Sequence, residues 1–311
     1  MKIFITGGAG FIGSHLADHL LKRGDEVLVI DNYATGRRDN LKKNPRLQVI
    51  EGSIADELLV QARVADFKPE LIIHAAASYK NPDDWQEDTK TNVLGTVNVV
   101  QAAQKNHCGR IIYFQTALCY GLKPEQQPIT LDHPLNPANS SYAITKTTAE
   151  QFIQLSGLNT ISFRLANAYG PRNISGPLPT FYQRLATDKP CFVMDTRRDF
   201  IYIDDLVDCV IKAINSDSHG IYHIASGSDY SIKELFDATL EALSIQLEQP
   251  VEVRPRNPDD AFTILLDPSR TQKDLHWQTS TSLSKGIKET INYYQEYGIE
   301  ETYTHLQGVE S

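Results

Sequence analysis

The 311-residue sequence is poor in several features that mark particular classes of protein. It has only four cysteines, far apart and without the spacing of metal ligands or a disulfide framework, which favours free thiols in a reducing cytoplasm: Cys108, Cys119, Cys191 and Cys209. Asp and Glu (39) outnumber Lys and Arg (30), so we expect no basic surface for nucleic acid. No apolar run approaches the ~20 residues that cross a bilayer, and Met1 leads directly into a strand-like segment, so we expect neither a membrane span nor a signal peptide.

The apolar segments are short and alternate with helical patterns. Strand-like segments cover residues 2–6, 27–30, 47–50, 71–74, 110–115 and 159–165, and helical spacing is clearest over residues 14–21, 92–105 and 141–155. Strands that are apolar throughout and alternate with helices predict an α/β fold, a doubly wound parallel sheet. Beyond these, a Gly- and Pro-rich loop at 170–180 precedes a smaller α/β lobe, with strands at 221–224 and 251–254 and helices at 232–243 and 283–297.

A glycine-rich segment follows the first strand and opens the first helix. Its glycines are Gly7, Gly8, Gly10 and Gly13. Backbone N–H groups at a helix N-terminus bind a dinucleotide pyrophosphate, and glycine lets the main chain approach it closely. Asp31 ends the second strand, where a carboxylate accepts hydrogen bonds from the adenosine ribose and disfavours a 2′-phosphate. The segment predicts a dinucleotide site and favours NAD over NADP, although Arg37 and Arg38 lie nearby and an ordinary βαβ turn is the alternative.

A tyrosine and a lysine are spaced to share one helix face. Tyr142 and Lys146 lie four residues apart in a predicted helix that Ser140 or Ser141 caps. A lysine cation, reinforced by the positive nicotinamide ring of the predicted cofactor, lowers the pKa of a nearby phenol from about 10 toward neutrality, which suits general acid/base chemistry on a sugar or alcohol hydroxyl. Because this spacing is common in helices, a surface pair without function is the alternative.

Other polar residues end predicted strands. Thr116 follows the strand at 110–115, at the edge where parallel sheets bind ligands, and its hydroxyl is placed either to bond a reacting oxygen or to form a turn. His74 ends another strand and is interpreted as packed near the cofactor, not as a catalyst. His15 and His19 are four residues apart, but Leu16 stands where a zinc hydrolase has glutamate, so we expect no metal site.

These features occur in a fixed order with further motifs. The additional motifs are Asp31-Asn32, His74-Ala75-Ala76, NVLGT (92–96), RLANAYGP (164–171) and RDFIYIDD (198–205). Together with TGGAGFIG (6–13), Thr116 and the Tyr142/Lys146 pair, they make the chain resemble the extended short-chain dehydrogenase/reductase family, in its nucleotide-sugar epimerase/dehydratase branch. The resemblance covers roughly residues 1–295 and is nearest to the bacterial UDP-sugar 4-epimerases of O-antigen assembly.

The resemblance implies a Rossmann domain for NAD over residues 1–168, with 199–216 returning to it, and a nucleotide-sugar lobe over 169–198 and 217–311. It implies Tyr142 as the base, Lys146 as the residue that holds the ribose and tunes the base, and Thr116 as the bridge to the sugar hydroxyl. The cofactor-binding residues that it implies are Gly7, Gly10, Phe11, Ile12, Gly13, Asp31, Asn32, Ser53, Ile54, His74, Ala75, Ala76, Asn92, Tyr142 and Lys146. The residues that it implies for the substrate's diphosphate and nucleotide are Asn167, Arg198 and Arg256.

Several positions differ from the family's pattern and narrow the range of reactions and substrates that the resemblance implies. Family branches that dehydrate the sugar place Asp and Glu directly after the threonine, and the decarboxylase branch has Glu there, whereas this chain has Ala117 and Leu118. Ser53 stands where the family has an Asp that contacts adenine. Lys80 and Arg172 are cations that could face the sugar and favour a carboxylated hexose, with surface charge as the alternative.

We therefore expect an NAD-dependent nucleotide-sugar epimerase that acts at C4 of a UDP-hexose, UDP-N-acetylhexosamine or UDP-hexuronate through a 4-keto intermediate. A dehydratase or decarboxylase of the same family is one alternative, and a catalytically idle NAD-binding module is another. The resemblance also implies a homodimer that pairs through the helices at 92–105 and 141–155.

Overall fold

The structure is a computed structural model that describes residues 1–138, 140–256, 260–299 and 302–303. Its strands are β1 (Lys2–Thr6), β2 (Glu26–Asp31), β3 (Leu47–Glu51), β4 (Leu71–His74), β5 (Arg110–Thr116), β6 (Thr160–Leu165), β7 (Asn167–Tyr169), β8 (Phe192–Met194), β9 (Arg197–Arg198), β10 (Phe200–Tyr202), β11 (Gly220–Ile224), β12 (Tyr230–Ser231) and β13 (Glu252–Arg254). Its α-helices are α1 (Phe11–Arg23), α2 (Glu57–Phe67), α3 (Trp85–Asp88), α4 (Gly95–Lys105), α5 (Ser141–Leu155), α6 (Pro177–Ala186), α7 (Ile203–Ile214), α8 (Ile232–Leu243), α9 (Ser269–Leu275) and α10 (Leu283–Tyr297). Within the described ranges, none of the helices has both the length and the apolar character that a membrane span requires.

Seven strands form one parallel sheet in the order β11-β6-β5-β4-β1-β2-β3. β1 lies between β2 and β4, with Thr6 opposite both Ile30 and His74. The chain reverses its direction of travel across the sheet at the β1/β4 pair, and sheets of this kind bind ligands at the carboxyl ends of the strands beside that reversal. The predicted doubly wound α/β fold is confirmed.

The sheet is held by side chains that are removed from water on both sides. Phe4, Ile72 and Ile111 come from three strands and are 0% exposed, and they belong to one cluster with Val64 of α2 and Val99 of α4. Full burial of one such side chain contributes roughly 1.5–3 kcal/mol. The apolar strands predicted from the sequence are therefore the core of the fold.

Local signals set the ends of two helices that matter for the site. Gly24 takes a left-handed φ of 98°, and its N–H bonds the carbonyls of Leu20 and Leu21, so it ends α1. Ser140 caps α5, because its hydroxyl accepts a hydrogen bond of 3.2 Å from the Ala143 N–H.

Four predicted elements differ from the structure. The helix predicted over 92–105 begins as a π-helical segment, Thr89–Leu94, before α4 starts. The loop predicted at 170–180 contains the start of α6, since Pro177 is suited to the first position of a helix. The strand at 221–224, predicted in the smaller lobe, is β11 at the edge of the main sheet. The strand predicted at 47–50 as part of a buried sheet is β3, which lies at the opposite edge of the sheet and has three of its five residues exposed.

The chain forms two compact units. The first comprises Met1–Cys119, Asn136–Arg164 and Ser216–Tyr222, and the second comprises Tyr120–Leu135, Leu165–Asn215 and the described residues that follow Tyr222. The sequence predicts residues 199–216 in the first domain, but β10 pairs in parallel with β7, so most of this stretch belongs to the second unit. In the second unit α6, α8 and α10 pack together beside the small pairs β8–β13 and β9–β12.

Candidate active site

The glycine segment between β1 and α1 has almost no room for side chains. Gly7 has a φ of +67°, and a Cβ built on it lies 2.6 Å from the Cα of Ala76. A Cβ built on Gly13 lies 2.3 Å from the carbonyl oxygen of Gly7. The main chain therefore forms a bare cradle at the carboxyl end of β1.

The first helical residues after this cradle are Phe11 and Ile12. N–H groups in a first helical turn have no carbonyl of a preceding turn to bond, and the helix dipole adds positive potential there. The first turn of α1 carries no acidic side chain, and Gly10 at the N-cap makes no side-chain hydrogen bond. The cradle and these donors fit the pyrophosphate of a dinucleotide.

Asp31 lies beside the cradle at the end of β2 and is 7% exposed. Its two carboxylate oxygens accept hydrogen bonds of 2.8 Å from the N–H groups of Ala9 and Tyr33. Burial raises the pKa of Asp31, and these backbone donors lower it. Asn32 is exposed, and its side-chain oxygen accepts a hydrogen bond of 3.1 Å from the Ala34 N–H. Asp31 thus stabilises the glycine segment, and its contact with the ribose stays a prediction.

The two arginines that count against NAD are paired with acids. Arg37 Nη2 lies 2.7 Å from the Asp39 carboxylate, and Arg38 Nη2 lies 2.7 Å from the Glu51 carboxylate. Arg38 also stacks over the Tyr33 ring, 4.1 Å from its centroid. Both cations have carboxylate partners of their own, so the region does not favour the 2′-phosphate of NADP.

Ser53 and Ile54 lie in the turn between β3 and α2. The Ser53 hydroxyl accepts a hydrogen bond of 3.1 Å from the Ala55 N–H. Ile54 is 4% exposed, and its carbonyl accepts a hydrogen bond of 2.9 Å from the side-chain amide of Asn98 on α4. This turn is therefore fixed from two directions.

His74 ends β4 and is 0% exposed, with both ring nitrogens bonded inside the protein. The Thr96 hydroxyl donates to the Asn92 carbonyl at 2.6 Å, so at 2.8 Å from His74 Nε2 it acts as the acceptor, and Nε2 carries the ring proton. Nδ1 then accepts from the Thr6 hydroxyl at 2.7 Å. Burial, and then the charge of Lys146, lower the pKa of His74 to about 3. The neutral ring is buried and supports the site through Thr6 and Thr96. The sequence predicts a contact between His74 and the cofactor, and the burial of the ring makes any such effect indirect.

Ala75 and Ala76 continue the chain beside the cradle. Their N–H groups bond the carbonyl oxygen of Thr6 at 3.1 Å and its hydroxyl at 3.2 Å, respectively. The main chain of Ala75 and Ala76 lies so close to residue 7 that only glycine fits there.

Asn92 holds the next residues of this segment through Ser78. Its side-chain amide accepts from the Ser78 N–H at 2.8 Å and donates to the Ser78 carbonyl at 3.0 Å and to the Thr145 hydroxyl at 3.0 Å. The Ser78 hydroxyl donates to Asp88 at 2.9 Å. The next side chain, Tyr79, packs against the Tyr142 ring at 6.1 Å between centroids.

Thr116 and α5 meet at the carboxyl edge of the sheet. The Thr116 hydroxyl accepts a hydrogen bond of 3.2 Å from the Leu118 N–H. The Tyr113 hydroxyl donates to the Lys146 carbonyl at 3.0 Å and ties α5 to β5. Because α5 connects two parallel strands, its first turn, with Tyr142, lies at the same edge as Thr116.

The pKa shifts of Tyr142 and Lys146 show the effect of burial on both groups. Burial raises the pKa of Tyr142, and the charges of Tyr79 and Asp88 raise it further. The predicted lowering depends on the lysine and the positive nicotinamide ring acting together, so it stays a prediction, whereas the protein's own surroundings raise this pKa. Burial lowers the pKa of Lys146 to about 7, and the charge of Glu150 opposes this shift.

Lys146 is 3% exposed, and its Nζ makes neither a hydrogen bond nor an ion pair with any residue that the structure describes. The ammonium lies 4.1 Å from the centroid of the Tyr113 ring. A buried cation with spare donors fits the hydroxyls of a ribose. Sequence reasoning gave no role to Glu150 or Arg164, which form a buried ion pair one helical turn further on.

The remaining predicted residues lie in the second unit, apart from Lys80, which is exposed in the first. Asn167 donates from its amide to the Asp199 carbonyl at 3.2 Å. Arg172 occupies a turn with a φ of 68°.

Arg198 and Arg256 converge on one acidic residue of that unit. Arg198 Nη2 lies 2.6 Å from the Asp260 carboxylate, and Arg256 Nη1 donates to the Asp260 carbonyl at 3.1 Å. The structure thus brings together Arg198, predicted for the diphosphate, and Arg256, predicted for the nucleotide.

The model of the NAD dependent epimerase/dehydratase family matches residues 3–225. The chain belongs to the NAD-dependent epimerase/dehydratase family. Its cofactor is NAD, and the glycine cradle is where the residues fit the pyrophosphate.

Solved structures and curated relatives of this family match the chain over most of its length. The Bordetella bronchiseptica enzyme WbmH, solved with NAD+, is 54% identical with a TM-score of 0.93, over 96% of this chain and 99% of that one. WbmG of the same organism, solved with NAD and UDP, is 42% identical with a TM-score of 0.92, over 99% of both chains. A UDP-glucose 4-epimerase of Mycolicibacterium smegmatis is 30% identical, over 95% of this chain and 99% of its own length.

Proposed function

We propose that the protein is an NAD-dependent UDP-sugar 4-epimerase. The observation that carries this proposal is the buried Lys146 ammonium, which has donors to spare one helical turn from Tyr142 and at the sheet edge where Thr116 ends β5. The family and the UDP-sugar 4-epimerases among its relatives support it. Asn167 and Arg198, predicted for the diphosphate, and Arg256, predicted for the nucleotide, lie in the second unit.

In this reaction the protein positions groups and moves one proton. The Tyr142 phenolate takes the proton of the C4 hydroxyl and returns it after the 4-keto sugar has rotated to present its other face. The Thr116 hydroxyl bonds the same oxygen. Lys146 holds the ribose and favours the phenolate. NAD, held at the glycine cradle and by Lys146, would supply a reversible hydride acceptor for C4, so the reaction would need no external oxidant.

Replacement of Tyr142 by Phe tests the proposal. The ring that packs on Tyr79 remains, but the proton acceptor is lost, so we expect turnover to fall by about 10²–10⁴-fold with bound NAD unchanged. Turnover is measured by NMR of the epimer formed from UDP-sugars, and NAD by absorbance after denaturation. Tyr294→Phe removes a buried hydroxyl of the second unit that bonds the Asn173 carbonyl at 2.6 Å, and serves as the control. Parent-like turnover by the Tyr142 variant contradicts the proposal.

The dehydratase and decarboxylase alternatives are disfavoured by the residues after Thr116. The turn that follows it contains Ala117, 7% exposed, and Leu118, and neither can exchange a proton with the sugar. Both alternative reactions change the mass of the product, whereas epimers have equal mass, so mass spectrometry separates them. An idle NAD-binding module is disfavoured because Thr116, Tyr142 and Lys146 are all present.

We propose that the sugar is a hexose, an N-acetylhexosamine or a hexuronate. The cations Lys80 and Arg172 favour a carboxylated hexose. Equal turnover of uronate and neutral UDP-hexoses removes that preference. A cytoplasmic role in making sugars for surface polysaccharide, such as O antigen, follows from the resemblance, and the four free cysteines agree with the compartment.

We further propose a homodimer that pairs through α4 and α5, which pack side by side in the first unit. α5 leaves Ile144, Phe152 and Leu155 exposed on one face, and Leu94 is exposed just before α4. Phe152→Glu should convert the dimer into a monomer in sedimentation experiments. Leu58→Glu, at an exposed position of α2, should leave the dimer intact, and a monomeric parent contradicts the proposal.

A further inference from the structure

The buried face of α5 extends one turn beyond the tyrosine and the lysine. Tyr142, Lys146 and Glu150 follow at intervals of four residues and so share one side of the helix. Glu150 is 1% exposed, and Arg164 of β6 is 3% exposed. Arg164 reaches the Glu150 carboxylate from Nη2 at 2.8 Å and from Nε at 3.3 Å, and the Ser162 hydroxyl donates to the same carboxylate. The carboxylate is thus fixed by two residues of β6.

The surroundings of Lys146 contain few charges that compensate its own. His74 faces it from β4 as a neutral ring, and Tyr113 faces it from β5 with a pKa raised well above its usual value by burial. On α5 itself the neighbours are Tyr142, whose pKa is also raised by burial, and Glu150. Of these groups in the described structure, Glu150 is the carboxylate, and its charge acts on Lys146 to favour the ammonium.

We propose that Glu150 is a positioning residue for the reaction, because its charge keeps the neighbouring Lys146 in the ammonium form. Arg164 and Ser162 hold the Glu150 carboxylate in the orientation that this requires. The inference rests on the proposed role of Lys146, which must be charged both to hold a ribose and to favour a phenolate.

The physical argument is that a buried amine loses its proton unless a negative charge opposes the loss of hydration. Side chains one helical turn apart have Cβ atoms about 6 Å from each other, and even when the charged ends are about 10 Å apart a unit charge in a protein shifts a pKa by about one unit. Burial has already brought the pKa of Lys146 to about 7, so a shift of that size decides whether the group is charged at neutral pH. A role of the ion pair that is only structural predicts no such dependence.

The test is a titration of Lys146 by NMR in the full chain as purified, with ¹³Cε-labelled lysine and the resonance assigned from Lys146→Met. In Glu150→Gln, the midpoint of Lys146 should fall by about one pH unit. Ser162→Ala keeps the carboxylate charge and removes one hydrogen bond to it, so it is the matched control and should keep the midpoint of the parent. An unchanged midpoint in Glu150→Gln overturns the proposal.

Glu150→Gln leaves the Arg164 charge buried without its partner and risks unfolding. The double variant Glu150→Gln/Arg164→Met removes both charges together and should fold, with a smaller fall in the Lys146 midpoint, because loss of the Arg164 cation partly offsets loss of the carboxylate. A folded double variant with a midpoint above that of the parent also overturns the proposal.

A second measurement links the titration to catalysis. Lys146 is charged below its pKa, so turnover is lost as pH rises through that value, and this alkaline limb should move to lower pH in Glu150→Gln. Slower turnover with an unmoved limb assigns Glu150 to stability alone. If Tyr142→Phe remains active while the NMR midpoint still moves, the proposed reaction fails and the effect of Glu150 on Lys146 stands.

Discussion

His74 makes the stability of the protein depend on pH. The ring is 0% exposed, accepts from the Thr6 hydroxyl and donates to the Thr96 hydroxyl, and has a pKa lowered to about 3. In the unfolded chain a histidine has a pKa of about 6.5. Since the folded value is the lower one, the unfolded state takes up the proton first as the pH falls. The contribution of His74 is therefore complete above about pH 6.5 and is lost progressively toward pH 3.

The size of the effect follows from the two pKa values. At pH 5 the unfolded histidine is almost fully protonated and His74 in the folded protein is not, so the folded state loses about 2 kcal/mol relative to pH 7. His74→Gln removes the titrating group but keeps an amide that can bond a threonine hydroxyl. The variant should be less stable at pH 7, because its hydrogen bonds are poorer, and its deficit should shrink by about 2 kcal/mol at pH 5.

Urea denaturation of the parent and His74→Gln at pH 7 and pH 5 measures how much the stability gap between the two proteins changes with pH. Other groups titrate in the same range, among them Asp199, whose pKa is raised to about 6 by burial, but they are common to both proteins and cancel. His19→Gln, at an exposed position of α1, is the control and should keep the stability gap to the parent nearly constant. A gap between parent and His74→Gln that is equal at the two pH values refutes the reasoning.

Further predictions concern the cradle, its neighbour and the second unit. Gly13→Ala should lower the free energy of unfolding in denaturant by about 1–3 kcal/mol and release NAD, because its Cβ would lie 2.3 Å from a carbonyl oxygen. Gly10→Ala, whose Cβ would lie 3.3 Å from the nearest atom, should fold normally and bind NAD more weakly in titration calorimetry. Asn92→Ala should cost about 2–3 kcal/mol of stability and reduce kcat, because it frees both main-chain groups of the residue before Tyr79. Arg198→Met should raise the KM for UDP-sugar about 10- to 100-fold with little change in kcat, as expected of a residue that binds the nucleotide.

The fold could be predicted where the sequence signals are local. The bounds of α5, Ser141–Leu155, are those predicted, because helical spacing and the Ser140 cap act within a few residues. β7 and β10 were not predicted, since strands of three residues become visible only when they pair. β11 reads as a strand in the sequence, but its place in the main sheet depends on long-range pairing.

The site divides in the same way. The four-residue spacing of Tyr142 and Lys146 is a local property of the sequence and is present in the structure as a shared helix face. The direction of the Tyr142 pKa shift is not local, because it depends on hydration and on Tyr79 and Asp88, which come from another segment of the chain. Residue type and spacing suffice to propose a pair, and the three-dimensional surroundings determine its charge.

Burial shifts the pKa values of Tyr142 and Lys146 in opposite directions, and both shifts favour the uncharged form of the group. It raises the pKa of Tyr142 and lowers that of Lys146, so the surroundings favour the uncharged phenol and the uncharged amine. The charged pair, phenolate and ammonium, holds the same number of protons, and local charges therefore select between the two forms. Glu150 favours the ammonium, while Asp88 opposes the phenolate, so the two carboxylates act oppositely on the charged form of the pair.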